Sequence, residues 1–192
     1  MMVNAIEETL KRLVLEAQKG SRDAFSELVR ILMNDIMALT YRMTGDQETA
    51  KDLAQETFVT GWEKIKTFRG EAKFKNWLLR IATNKTLNHF KKASTTYEIS
   101  GEQAEPILES STYNSSTPET DLKNKQLKED VLQFMNQLPP QQRIVFDLRF
   151  YKQLSFEEIS EATNRAVGTV KTNYRESIMK LRIWAKENGW QK

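Results

Sequence analysis

Apolar residues recur every three to four positions along almost the whole of this 192-residue chain, and only one long stretch interrupts them. That spacing collects apolar side chains on one stripe of an α-helix, whereas a strand needs strict alternation. Strand-like alternation is hard to find, and the residues that punctuate helices are scarce, with Gly 7 and Pro 4. The interruption runs from Ala93 to Asp121, is rich in Ser, Thr, Glu and Asn, and carries Pro106 and Pro118. It is longer than an ordinary connection inside one compact domain. The chain therefore reads as all-α: two small helical domains, 1-92 and 122-192, joined by a flexible acidic linker over 93-121.

Local signals place the helices. Ser21 can cap a helix through Phe25, Leu28, Val29, Leu32 and Ile36, and Thr44-Gly45-Asp46 reads as its stop followed by a new cap. The second helix carries Ala50, Leu53, Ala54, Trp62 and Ile65, and Arg69-Gly70-Glu71 breaks it. A third begins near Phe74 with Trp77, Leu78, Ile81 and Ala82. Helices resume at about Leu122, and Pro139-Pro140 marks the start of another.

Several chemistries are excluded by what the chain lacks. Cysteine is absent and His89 is the only histidine, which removes disulfides, thiolate zinc sites, cysteine nucleophiles and multi-histidine metal sites. No P-loop and no carboxylate pair with metal spacing is present. No catalytic residue, metal or cofactor is expected, and the chain does not read as an enzyme. No apolar run approaches the roughly 18 residues that span a bilayer, and Met1 to Leu15 mixes Glu and Lys through its apolar positions, unlike a signal peptide. A cytoplasmic protein without membrane insertion is expected.

The net charge of +3 decides little, but its distribution is informative. Lys64 to Lys92 holds nine Lys or Arg against one acid, Glu71, whereas Ala93 to Asp121 holds six acids and no base. From Lys171 onward the balance is basic again. Two basic segments around an acidic spacer suggest two contacts with a polyanion, although solvated helices also carry such runs.

The second basic segment lies in a recognisable supersecondary pattern. Ser155-Phe-Glu-Glu158 is a capping box, Ile159 and Ala162 give the short helix a buried side, and Thr163-Asn164-Arg165 supplies a turn. A second helix from about Val167 puts Val170, Tyr174, Ile178 and Leu181 on one face. Thr169, Lys171, Thr172, Asn173 and Arg175 are left outside, and short polar and basic groups near a helix N-terminus suit base edges and phosphates. A helix-turn-helix presenting its second helix to the major groove is expected; a capped helical hairpin within a larger bundle is the plainer alternative.

In the N-terminal half, Asp52, Gln55, Glu56, Val59 and Glu63 form a stripe opposite Leu53, Ala54, Trp62 and Ile65. An acidic stripe suits a basic protein surface better than DNA, and an ordinary solvated face is the alternative. The basic segment that follows interleaves Phe68, Arg69, Phe74, Asn76, Trp77, Arg80, Asn84 and Lys85. Aromatic rings and amides beside cations can hold unstacked bases while the cations track phosphates. Trp77 and Phe74 also fit a core; Arg80, Asn84, Asn88 and Lys91 share a helix face and are the stronger nucleic-acid candidates.

These motifs together resemble bacterial sigma factors. Leu154-Ser-Phe-Glu-Glu-Ile-Ser160 with Val167-Gly-Thr-Val-Lys-Thr172 looks like the family's second DNA-binding region, and Leu138-Pro-Pro-Gln-Gln-Arg-Ile-Val-Phe-Asp-Leu-Arg-Phe150 looks like its lead-in helices. Asp52-Leu-Ala-Gln-Glu-Thr-Phe58 is similar to the core-polymerase-binding motif, and Phe74-Lys-Asn-Trp-Leu-Leu-Arg-Ile-Ala-Thr-Asn84 to the stretch that binds the −10 promoter element. The resemblance covers about Ser21 to Lys92 and Leu122 to Lys186, and with no intermediate domain it points to the sigma-70 family's extracytoplasmic-function (ECF) group.

The resemblance implies a transcription initiation factor that binds core RNA polymerase at the β′ clamp helices and β flap and directs it to promoter DNA. Asp52, Leu53, Gln55, Glu56 and Phe58 would serve polymerase binding. Arg69, Lys73, Asn76, Trp77, Arg80, Asn84, Lys85, Asn88 and Lys91 would contact the −10 element, with the loop Thr67 to Lys73 capturing a flipped base. Ser155, Arg165, Thr169, Lys171, Thr172, Asn173 and Arg175 would read the −35 element. The acidic connector would thread the polymerase's RNA path, and an anti-sigma factor is an expected partner. Two positions depart from the family pattern. Ala166 stands where Ser often caps the recognition helix, and Asn173 stands where Arg is common. A dimeric helix-turn-helix regulator that binds duplex DNA on its own is the alternative function, although no clear dimerisation helix is evident.

Overall fold

The computed structural model describes residues 2–100 and 120–190, and no strand occurs among them. The helices are α1 (Met2–Gln18), α2 (Arg22–Thr44), α3 (Gln47–Lys64), α4 (Phe74–Ser100), α5 (Thr120–Asn136), α6 (Pro140–Phe150), α7 (Phe156–Thr163) and α8 (Val167–Glu187), with a 3-10 turn at Ile65–Thr67. The fold is all-α, in two helical regions. Helix α4 continues past Lys92 to Ser100, and α5 begins at Thr120. The middle of the stretch read as a linker, 101–119, lies outside the described residues.

The start and stop signals act through identifiable atoms. Ser21 Oγ accepts the Ala24 amide at 3.2 Å, closing the start of α2. Gly45, at φ 74°, ends that helix with its amide on the Tyr41 carbonyl at 2.8 Å, a left-handed conformation that glycine adopts cheaply. Asp46 then accepts the Thr49 amide at 2.6 Å and opens α3; that backbone hydrogen bond holds its carboxyl below the ordinary value.

Helix α1 lies before the first helix that the capping signals place. Its Leu13, Val14 and Ala17 are buried, and Gln18 Nε2 donates to the Ile65 and Phe68 carbonyls at 3.0 and 2.7 Å. It therefore anchors the start of the loop that leads into α4. Helices α2, α3 and α4 pack around Leu28, Ile36, Leu39, Met43, Leu78 and Leu79. A Cβ added at Gly61 would meet Leu78 Cδ1 at 3.0 Å, so the missing side chain is what lets α3 and α4 approach so closely.

In the C-terminal region, Val131, Phe134 and Met135 of α5, Leu138 of the α5–α6 connection, Phe146 of α6 and Trp184 of α8 form one cluster. Ile144, Val145 and Leu148 on α6 belong instead to the core of the first bundle, together with Leu154, Ile159, Ala162 and Val170. Helix α6 is thus enclosed: every residue from Gln142 to Leu148 is buried. A helix buried all round serves two neighbours at once. The sequence leaves the placement of the two regions open; the structure packs them against each other, with α6 and α7 on the α2–α4 bundle.

Candidate polymerase and nucleic-acid interfaces

The stripe on α3 is presented as its spacing requires. Asp52, Gln55 and Glu56 are exposed, and beside them Val59 leaves 58% of its surface in water. Leu53 and Phe58, grouped with them by motif, are each only 6% exposed and lie on the buried side of α3. Glu56 is already engaged, receiving Lys85 Nζ at 3.0 Å from α4.

Along the basic segment the candidates fall into different environments. Arg69, Lys73 and Arg80 are exposed, and Lys73 Nζ lies 3.3 Å from Glu7 of α1. Phe68, Phe74 and Trp77 form a ring cluster with centroids 5.3 to 5.4 Å apart. Phe74 is buried and Trp77 half-buried, so the cluster is an extension of the core that leaves part of one indole at the surface. Asn84 and Lys85 are half-buried, while Asn88 and Lys91 are exposed.

The helix-turn-helix is built as its sequence indicates. Ser155 Oγ accepts the Glu158 amide at 3.0 Å, and Glu158 Oε2 accepts the Ser155 amide at 2.8 Å. Asn164 sits at φ 54°, ψ 48°, the left-handed conformation that reverses the chain. Ala166 begins α8 with no side-chain cap. Thr169, Lys171, Thr172 and Arg175 are exposed, Asn173, Arg165 and Ser155 are half-buried, and Val170 is fully buried beneath them. Phe156 braces the unit: its ring lies 5.6 Å from that of Tyr174, with the Arg149 guanidinium 4.8 Å and Lys171 Nζ 5.8 Å from its centre.

Two of these candidate faces meet. Asn76 Nδ2, on α4, donates to Glu158 Oε1 at 2.7 Å, using the oxygen the capping box leaves over. Further along α4, Asn84, Leu87, Asn88 and Lys91 form one wall of a polar cavity; Gln141, Thr163, Asn164 and Arg165 form the other. Arg165 therefore stands across this cavity from α4.

Behind this contact lies a set of charged residues that motif reading missed. Arg42 of α2 pairs with Asp147 of α6 through its Nε and Nη2, the longer Nη2–Oδ2 contact being 3.2 Å, and its guanidinium lies 4.2 Å from the Tyr151 ring centre. Burial pushes the Asp147 carboxyl up, and Arg42 opposes that rise. Arg143 donates to the carbonyls of Met43, Asn136 and Leu138 at 2.6, 2.7 and 3.3 Å. Asp35 of α2 receives Lys75 Nζ and Lys152 Nζ, each at 2.6 Å, one from each region. Burial raises the Asp35 carboxyl, but the hydrogen bonds from the two lysines outweigh it and hold the group below its ordinary value. The only hint in the sequence is the presence of Arg143 and Asp147 inside an apolar helix, since charges there need partners. Arg42, the partner of Asp147, lies 105 positions away and the Met43 carbonyl lies 100 positions from Arg143, whose other two acceptors, Asn136 and Leu138, are near in the chain.

Comparison with known proteins bears on the same two regions. Residues 28–96 match the family model for Sigma-70 region 2, and residues 128–181 match that for Sigma-70, region 4. Over 181 residues the chain is 33% identical to the ECF RNA polymerase sigma factor SigW of Bacillus subtilis (strain 168), covering 92% of this chain and 97% of that protein. It is 31% identical, again over 181 residues, to the RNA polymerase sigma-H factor of Pseudomonas aeruginosa, covering 91% of this chain and 94% of that one. Its fold is shared with the sigma factor RpoE solved in complex with the anti-sigma factor NepR from Bartonella quintana, at a TM-score of 0.69 and 21% identity over 84% of this chain and 96% of that one. With both family models matched in order and relatives similar along nearly its whole length, this chain belongs to the ECF group of the sigma-70 family and is a factor that directs RNA polymerase to promoters.

Proposed function

We propose that this chain carries out promoter direction through three surfaces: the α3 stripe for polymerase, the exposed side of α4 and its preceding loop for the −10 element, and the outward face of α8 for the −35 element. The observation that carries the first is an acidic exposed row, Asp52, Gln55 and Glu56, beside the solvated Val59 on an otherwise core-packed helix. An acidic rim around an exposed apolar residue suits a basic partner surface with a small apolar contact. Leu53 and Phe58 act behind it by fixing the helix.

In the loop before α4 and along α4, Arg69, Lys73, Arg80, Asn88 and Lys91 supply phosphate contacts, and Asn76, Asn84 and Trp77 supply amide and ring contacts to an unpaired strand. Lys85 joins them when Glu56 is drawn to the polymerase. On α8, Thr169, Lys171, Thr172, Asn173 and Arg175 meet the major groove, with Ser155 and Arg165 at the backbone. These roles divide the chain into a region 2 domain at 1-92, a linker at 93-121 and a region 4 domain at 122-192. Sigma factors are known as non-catalytic initiation factors, and we assign this chain no catalytic site. Among the described residues no helix is long and apolar enough to cross a membrane, and action on polymerase implies the cytoplasm. An anti-sigma factor is a fitting partner, since the structurally similar RpoE was solved with one. The family assignment does not favour a dimeric regulator acting without polymerase.

The test combines the chain with core polymerase and its cognate promoter and probes the −10 region with permanganate. A reactive bubble and a transcript are expected; their absence would overturn the reading.

A further inference from the structure

We infer that α1 takes part in promoter melting: Gln18 is a positioning residue that sets the loop 69–73, so that a base drawn out of the −10 element meets a loop already in shape. The inference rests on the assignment of that loop to the −10 element, where it is expected to capture a flipped base, and adds one residue and one element to it. Helix α1 ends at Gln18, before the residues 28–96 that match region 2, so that match assigns α1 no role.

The two ends of the loop are held by different means. At the far end the Lys73 carbonyl accepts the Asn76 and Trp77 amides at 2.9 and 3.1 Å, so the chain runs straight into α4. At the near end stands only the 3-10 turn Ile65–Thr67, closed by the Phe68 amide on the Ile65 carbonyl at 3.1 Å. So short a turn, with its poorer hydrogen-bond geometry, is a weak anchor by itself. Gln18 supplies further ties. Its Nε2 donates to the Ile65 carbonyl at 3.0 Å and to the Phe68 carbonyl at 2.7 Å, one at the start of the turn and one just past its end. A carboxamide nitrogen carries two hydrogens, so a single side chain can make both bonds. Gln18 is itself steadied by the burial of Val14 and Ala17 beside it. The Phe68 and Phe74 rings, 5.3 Å apart, then close the base of the loop. Lys73 Nζ lies 3.3 Å from Glu7 Oε2, so α1 reaches both ends.

All five residues of the loop are exposed, and no core lies beneath them to hold their shape. Ordering such a segment during capture would consume binding energy that must also offset the unstacking of the base. Fixing its ends beforehand removes part of that cost. Because Gln18 faces two carbonyls, what it contributes is N–H donors rather than shape.

That distinction defines the test. In the holoenzyme, Gln18→Glu keeps the shape but turns the donor into an acceptor facing two carbonyls; Gln18→Met removes the donor without adding charge. On a promoter that the wild-type holoenzyme opens, permanganate follows the rate constant of bubble formation at saturating holoenzyme. Two neutral hydrogen bonds of ordinary net worth predict that Gln18→Met slows this step about tenfold, and Gln18→Glu more. Affinity for core polymerase and for the initial promoter complex should not change. Wild-type opening by Gln18→Glu, or a loss confined to the initial complex, overturns the role. Promoters that each carry one abasic site in the non-template −10 strand read the loop itself. The base it captures is the one whose removal slows the wild type but matters less after Arg69→Ala with Lys73→Ala. Gln18→Met should shrink the penalty at that position and leave the other positions as they were. If the loop substitutions alter the penalty at a position and Gln18→Met does not, the loop keeps its assignment and Gln18 loses its role. If no position responds to the loop substitutions, the assignment of the loop fails and the role of Gln18 falls with it.

Discussion

Asp35 and Ala166 show how much a single side chain decides here. The Asp35 carboxyl is held below its ordinary value in the folded chain, so its contribution to stability is present above about pH 4, near the ordinary aspartate pKa, and is lost as pH falls through the lowered one. Asp147 acts in the opposite sense: burial raises it despite Arg42, so its contribution declines as pH rises through the raised value. Lys75 and Lys152 face the first group, Arg42 and Lys152 the second. Denaturant titrations across the acid range should therefore show Asp35→Asn removing part of the loss at low pH; a slope identical to the wild type would refute the pairing. Ala166 already has an extended backbone, φ −59° and ψ 141°, that a capping serine adopts. Ala166→Ser should stabilise the chain by about 0.5–1 kcal/mol, read as a raised unfolding midpoint.

At the scale of the element, helices α3 and α8 each divide cleanly into a face that holds and a face that is offered. Asp52→Lys or Glu56→Lys reverses a charge on the offered face of α3 and should weaken polymerase binding while leaving the circular dichroism and melting profile nearly unchanged. Unaltered affinity would remove the stripe from the polymerase contacts. On α8, Lys171→Ala should weaken promoter binding in the holoenzyme and reduce the dependence of log affinity on log salt by about one counterion. An identical salt slope would mean that Lys171 meets no phosphate. Its proximity to the Phe156 ring offers it a second use as a brace, which would show in stability rather than in salt dependence.

For the whole molecule, the important fact is that one core runs through both regions. Leu148, fully buried on α6, packs with residues of the first bundle as well as with α7. Leu148→Ala should cost about 2–5 kcal/mol. Because the core is shared, the wild type should unfold in one main thermal transition, and Leu148→Ala should separate it into two. Two independent transitions in the wild type would show that the shared core carries little of the stability. The shared core also gives a reason for the enclosed α6: Ile144, Val145 and Leu148 pack into one cluster and Phe146 into the other.

Much of this was legible in the residues alone. Helical periodicity, the cap at Ser21, the Thr44-Gly45-Asp46 junction, the capping box at Ser155 and the left-handed Asn164 depend on interactions within a few positions, and each appears where local chemistry puts it. The stripe of Asp52, Gln55 and Glu56 followed from helical geometry in the same way. The same geometry puts Leu53 on the opposite side, whereas the depth to which Phe58 is buried depends on where the other helices pack. The role of α1 does not follow from local geometry either, since its Gln18 bonds carbonyls 47 and 50 residues later. The pairing of Arg42 with Asp147, of Lys152 with Asp35 and of Asn76 with Glu158 spans 105, 117 and 82 positions. No local pattern encodes such distances, since burial and charge pairing between remote segments arise only when the regions pack. Sequence determined the helices and the faces they could offer; tertiary structure decided which of those faces are covered.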